Sequence, residues 1–233
     1  MPLLHVLRVF TDPDGRDGNP LGVFLEGGAV PEARRQAVAA WLDYSETVFV
    51  EDTVCGRIRI FSPEKELSFA GHPSVGSAWL LARELAPVSS LQEAAGTVPV
   101  RHEGELTWIA GRPEWAPSLR IEQLGSAGEV EAFDSGGGLR DRYCWAWEDE
   151  ETGAVRARAF FPSLGIAEDE ATGSAALALC ARLARPIEIR QGRGSRLLAR
   201  PIDGGMVEVG GRCILDEVVD YPISRLGPAA PPA

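Results

Sequence analysis

Two stretches of the chain, separated by about a hundred residues, carry the same signature. Arg59-Ile60-Phe61-Ser62-Pro63 runs into Gly71-His72-Pro73 and then Gly76-Ser77-Ala78-Trp79-Leu80-Leu81-Ala82-Arg83. Arg158-Ala159-Phe160-Phe161-Pro162 runs into Gly173-Ser174-Ala175-Ala176-Leu177-Ala178-Leu179. Each predicts a strand carrying R-x-F-x-P, a loop, and a glycine-led helix of small apolar residues. A unit repeated at half-length spacing predicts a duplicated fold with two related lobes. Glycine at a helix start leaves backbone N–H groups open to an anion. Two such starts, one per lobe, predict a shared ligand cleft. Gly76-Ser77-Ala78 also matches Gly173-Ser174-Ala175, so the repeat predicts duplication without fixing which residues correspond.

At 233 residues the chain has room for one large domain or two smaller ones. We expect lobes at 1–114 and 115–226, the two prolines of 111–117 marking the change, and a disordered Pro/Ala tail at 227–233. A net charge of −11 argues against nonspecific binding to nucleic acid or anionic membranes. It leaves open a small anionic ligand held by backbone dipoles. The cysteines at 55, 144, 180 and 213 and the histidines at 5, 72 and 102 are widely spaced. No metal site is expected from them, and the thiols read as reduced and mostly buried. With no signal pattern or long apolar run, the expectation is a cytoplasmic protein without membrane or nucleic-acid partners. A homodimer stays open.

Alternation and turn chemistry predict strands at 3–10, 21–25, 47–50 and 57–61, with helices at 31–42 and from Pro73 to about 86. Hairpins are expected at 97–109 and 142–161, an apolar helix at 175–183, and closing strands at 187–190, 195–199, 206–209 and 213–215. The fold class is therefore α+β, each lobe a curled sheet around a helix.

Glu46 precedes the apolar strand Val48-Phe49-Val50, where a carboxylate can reach a cleft and move a proton. An ordinary solvated loop glutamate has the same local pattern. His72 can orient a proton or pack as a helix-start residue. Glu168, Asp169 and Glu170 crowd the approach to the second helix, and acids there also suit capping. Ser174 can cap that helix or hold a carboxylate. No G-x-S-x-G elbow supports a serine nucleophile.

Several segments in order resemble the phenazine-biosynthesis PhzF-like family, related to diaminopimelate epimerases. They are Val9-Phe10-Thr11 with Gly18-Asn19-Pro20-Leu21, Ser45-Glu46-Thr47-Val48-Phe49-Val50, Phe69-Ala70-Gly71-His72-Pro73, and Phe160-Phe161-Pro162 through Gly165 to Ala175, with Gln191-Gly192 as a weaker element. The resemblance implies two similar lobes, each a mixed β-barrel-like sheet around a central helix with the active-site cleft between them, and a cofactor-independent isomerase of a small carboxylate. On it, Glu46, His72 and Asp169 fall on the catalytic positions, and Gly71, Gly173 and Ser174 on substrate-binding ones. It implies no metal and no cofactor. A racemase of the same fold, or a carboxylate-binding protein without turnover, are the alternatives. Two-thiol epimerisation does not fit, since neither helix start carries a cysteine. The chain departs from the family at the short segment 116–140, at Glu170 in place of a proline, and at Arg193-Gly194-Ser195-Arg196.

Overall fold

The computed structural model describes residues 1–134 and 140–222. The first half comprises β1 (Leu3–Thr11), β2 (Asn19–Phe24), α1 (Glu32–Leu42), β3 (Thr47–Asp52), β4 (Arg57–Phe61), β5 (Glu66–Leu67), α2 (Gly71–Glu84), β6 (Ser90–Glu93), β7 (Gly96–Glu103) and β8 (Leu106–Gly111). The second comprises β9 (Arg120–Gln123), α3 (Ala127–Glu131), β10 (Arg142–Asp149), β11 (Ala154–Phe161), β12 (Ile166–Asp169), α4 (Gly173–Leu183), β13 (Ile187–Gln191), β14 (Ser195–Pro201) and β15 (Val207–Asp220).

The halves repeat one wiring. β2 lies parallel to β3, β3 and β4 form an antiparallel hairpin, and β5 and α2 cross over to β6, parallel to β4. β9 lies parallel to β10, β10 and β11 form the hairpin, and β12 and α4 cross over to β13, parallel to β11. The order β1-β2-β3-β4-β6-β7-β8-β15 closes because β15 also pairs with β1, giving an eight-stranded barrel. The second half, β15-β14-β13-β11-β10-β9, stays an open curled sheet.

Helix α2 runs inside the barrel, buried from Gly71 to Ala78 and again at Leu80 and Leu81. A helix that is apolar or small on every face has to be surrounded. α4 has the same character, with Ala175, Ala176, Leu177, Leu179 and Cys180 buried, and packs on β14 and β15. Both helices feed one continuous core that includes Val75, Leu81, Ile109, Leu177 and Val209.

The expected closing strands at 206–209 and 213–215 are a single strand. Gly210 and Gly211 do not break it; they make room in it. A Cβ on Gly210 would lie 2.4 Å from the Trp108 ring, and one on Gly211 would lie 2.5 Å from the Phe10 ring. Beyond that point β15 leaves the second sheet and pairs with β1, Leu3 opposite Asp220. We retain 1–114 and 115–226 as a proposed division, with β15 shared between the two lobes. The tail at 227–233 lies outside the described residues. Strands β6, β9 and β12 and helix α3 are short and lack a clear period, so sequence pattern does not announce them. Among the described residues no helix is long and apolar enough to cross a membrane.

Candidate active site

The N-termini of α2 and α4 meet head to head. A Cβ on Gly71 would stand 2.7 Å from the Gly173 carbonyl carbon and 2.9 Å from Ser174 N. A Cβ on Gly173 would stand 2.8 Å from the Gly71 carbonyl carbon and 2.9 Å from His72 N. Only glycine permits this approach, which is why both units of the repeat open on one. The N-cap residues Ala70 and Thr172 make no side-chain cap bond, so the first-turn amides of both helices keep their capacity for an anion. Aligned head to head, the two positive dipole ends add at one point in a chain of net charge −11.

Glu46 reaches this point from the entry to β3 and is only 8% exposed. His72, the second residue of α2, is 2% exposed, and its Nδ1 lies 2.9 Å from Glu46 Oε2. The pair is close without the alignment of a hydrogen bond, and His72 Nε2 is buried with no partner. That leaves Glu46 Oε2 free to form a better bond with a ligand proton. Burial holds the imidazole beside the carboxylate.

Asp169 arrives from the other half, at the end of β12, and is 4% exposed. It accepts from Asn19 Nδ2 at 2.7 Å and from Thr172 Oγ1 at 2.6 Å. Asn19 also donates to the Ala171 carbonyl at 2.9 Å, and Ser45 Oγ donates to Asn19 Oδ1 at 3.3 Å. Asn19, the first residue of β2, thereby grips the approach to α4 across the seam. Gln191 secures the same turn from behind, donating to the Asp169 carbonyl at 3.0 Å and to Thr172 Oγ1 at 2.8 Å. Burial pushes the Asp169 carboxyl up to about 7, reinforced by the nearby charge of Glu46 and opposed by His72 and by the two side-chain hydrogen bonds. The Asp169 carboxyl therefore keeps its proton to higher pH than a solvated aspartate does.

The neighbouring acids face elsewhere. Glu168 is paired with Arg158 at 2.7 Å, and Glu170 accepts from Arg193 N and Ser195 Oγ at 2.9 Å each. Glu170, which stands where a proline was expected, is thus tied to the Arg193-Gly194-Ser195 turn, another departure from the family pattern. None of the three acids caps α4.

Glu46, Asp169, Thr172 and Ser174 line a cleft of about 420 Å³. Its apolar wall includes Phe69, Trp115, Phe161 and Ile166, so part of the 116–140 segment, at Pro117 and Ser118, shapes the rim. His72, Gly71 and Gly173 stand behind this lining rather than in it. None of the four cysteines lines it either. Among the described residues no cluster of three His, Cys, Asp or Glu could hold a metal ion.

Asn19 and Asp141 are the residues that pattern reading did not single out. Thr47 pairs with Phe61 in the first hairpin and Arg142 with Phe160 in the second. Aligning the two R-x-F-x-P units sets Phe61 on Phe160, and therefore Glu46 on Asp141, which lines the same cleft. The signal was in the repeat, but only strand register exposes it.

The model for the phenazine biosynthesis-like (PhzC-PhzF) family matches residues 7–114. The trans-2,3-dihydro-3-hydroxyanthranilate isomerase of Pseudomonas aeruginosa is 32% identical, over 83% of this chain and 90% of that protein. An uncharacterized isomerase of Pasteurella multocida is 37% identical, but the match spans 43% of this chain and only 37% of that relative's length. A solved structure of a predicted epimerase from Pseudomonas aeruginosa superposes with a TM-score of 0.71 at 26% identity, covering 95% of this chain and 99% of that one. With the motif segments in order, the barrel and helix arrangement, and identity sustained over nearly the whole length of a relative, the chain belongs to the phenazine biosynthesis-like family.

Proposed function

We propose that this protein is an isomerase of a small carboxylate, needing no cofactor, in which Glu46 removes a proton from a substrate carbon and returns one to another position. One observation carries the reading: Glu46 and Asp169 come from opposite halves to the uncapped, abutting starts of α2 and α4. The first-turn amides and Ser174 hold the substrate carboxylate, placing its neighbouring carbon against Glu46. The developing negative charge then lies at two helix N-termini, where backbone N–H groups stabilise it. His72 orients Glu46, and Asp169 holds the polar end of the substrate.

The relatives' name makes trans-2,3-dihydro-3-hydroxyanthranilate the first compound to assay, followed by other amino- and hydroxy-substituted cyclic carboxylates. Turnover and deuterium uptake from D2O are measured for wild type and Glu46→Gln. Glu46→Gln should bind ligand and lose about 10²–10⁴-fold in rate. Wild-type exchange in that variant would transfer the base to Asp169 or His72.

A second reading, epimerisation, is favoured by the presence of two acids rather than one. Asp169 would then protonate the face opposite Glu46. It requires every product molecule to carry solvent deuterium at the reacting carbon, whereas a single base returns part of the original proton.

A further inference from the structure

Lys65 is the only lysine in the 233-residue sequence; apart from three histidines, every other basic side chain is an arginine. It sits at the tip between β4 and β5 and is the one cationic side chain among the described residues that line the cleft. The backbone of that tip is pinned. Ser62 N and Ser62 Oγ donate to the Lys65 carbonyl at 2.8 and 3.1 Å, and Lys65 N donates to Ser62 Oγ at 3.1 Å. Gln36 Nε2 holds the Ser62 and Pro63 carbonyls at 3.0 and 2.9 Å.

Two of the acids that line the cleft, Glu66 and Asp141, are already engaged. Glu66 is gripped by Arg59 at 2.7 and 2.8 Å, and Asp141 accepts from Ser163 N at 3.1 Å and Ser163 Oγ at 2.6 Å. Among the described residues the Lys65 ammonium has no ion-pair partner. An arginine here would fork onto one of those carboxylates, as Arg59 and Arg158 do elsewhere. A lysine presents a point charge on a flexible stem and stays available.

We propose that Lys65 is a specificity-determining residue that receives a second anionic group of the substrate, so that the cleft selects dicarboxylates over monocarboxylates. The first carboxylate occupies the helix starts, and in this the inference rests on the proposed function. The second points outward along the apolar wall to the Lys65 ammonium.

The test compares benzoate with isophthalate and terephthalate by isothermal titration at low ionic strength, in wild type and in Lys65→Met. An exposed ion pair is worth roughly a two- to fivefold gain in affinity and fades with salt. The dicarboxylates should bind wild type tighter by about that factor, and the preference should vanish in Lys65→Met. Reductive dimethylation with ¹³C-formaldehyde keeps the charge and yields a single lysine NMR signal, since there is one lysine. That signal should shift with terephthalate and not with benzoate. Benzoate binding as tightly as either dicarboxylate, or a preference that survives Lys65→Met, overturns the inference. If benzoate binds but dicarboxylates gain nothing, the Lys65 role alone falls; if no carboxylate binds wild type, the helix-start site falls with it.

Discussion

The two halves share a wiring diagram and differ in what closes them. The first completes a barrel because β15 returns to β1, and it encloses its helix on all sides. The second stays open, and its helix leans on β14 and β15. The same contrast appears at the site. The first half supplies Glu46 and a fully enclosed histidine; the corresponding places in the second hold Asp141, tied to Ser163, and Ser174. Duplication thus produced two uncapped helix starts, and on the proposed function divergence assigned proton chemistry to the enclosed half.

The sharpest way to break this comparison is to remove each acid in turn. Glu46→Gln should cost about 10²–10⁴-fold in turnover, while Asp141→Asn should change it by less than about tenfold. Equal losses in the two variants would mean that the halves share the chemistry. The next largest effect concerns the abutment of the helices. Gly71→Ala and Gly173→Ala each force a methyl to within 3 Å of opposing backbone, and should destabilise by about 1–3 kcal/mol in urea unfolding. Gly28→Ala, with open space around it, should stay within about 0.5 kcal/mol of wild type.

A smaller and pH-dependent effect comes from Glu93. Arg57 faces Gln92 across the first crossover and Arg156 faces Arg190 across the second, which makes Glu93 the counterpart of Gln191. Gln191 braces the start of α4 with its amide, whereas Glu93 accepts from Ser74 Oγ at 2.6 Å and its second oxygen is buried without a partner. Burial pushes its carboxyl from the ordinary 4.5 up to about 8, with the Ser74 bond opposing. A carboxyl raised on folding contributes its full stability below pH 4.5, and that stability is lost as pH rises through about 8. Glu93→Gln should therefore match wild type at pH 4 and exceed it at pH 9 by on the order of 1 kcal/mol, read as a Tm difference across a pH series. A constant difference across that range would show that the carboxyl does not titrate between the two states.

Much of the fold was legible because burial imposes periodicity. The strands at β1, β3 and β4, both long hairpins and the two apolar helices follow from alternation, turn residues and small-residue runs. The glycines at 210 and 211 misled, because a glycine that admits an aromatic ring looks like one that makes a turn. Glu46, His72, Asp169 and Ser174 were legible through motif resemblance, but their local patterns fit solvated or capping roles equally well. Asn19 was visible only as part of the Gly18-Asn19-Pro20-Leu21 segment and not as a site residue, since its value lies in reaching across 150 positions to Asp169.

Sequence by itself determined that the chain holds two copies of one unit, that each opens a buried helix on glycine, and that lysine occurs once. These are properties of short segments, set by local sterics and by the need to bury apolar surface. Tertiary structure alone decided that the two glycine starts touch, that Glu46 and Asp169 line one cleft, and that β15 closes one half and leaves the other open. Each of these depends on contacts between residues distant along the chain, where strand register and packing, not neighbouring sequence, set which groups meet.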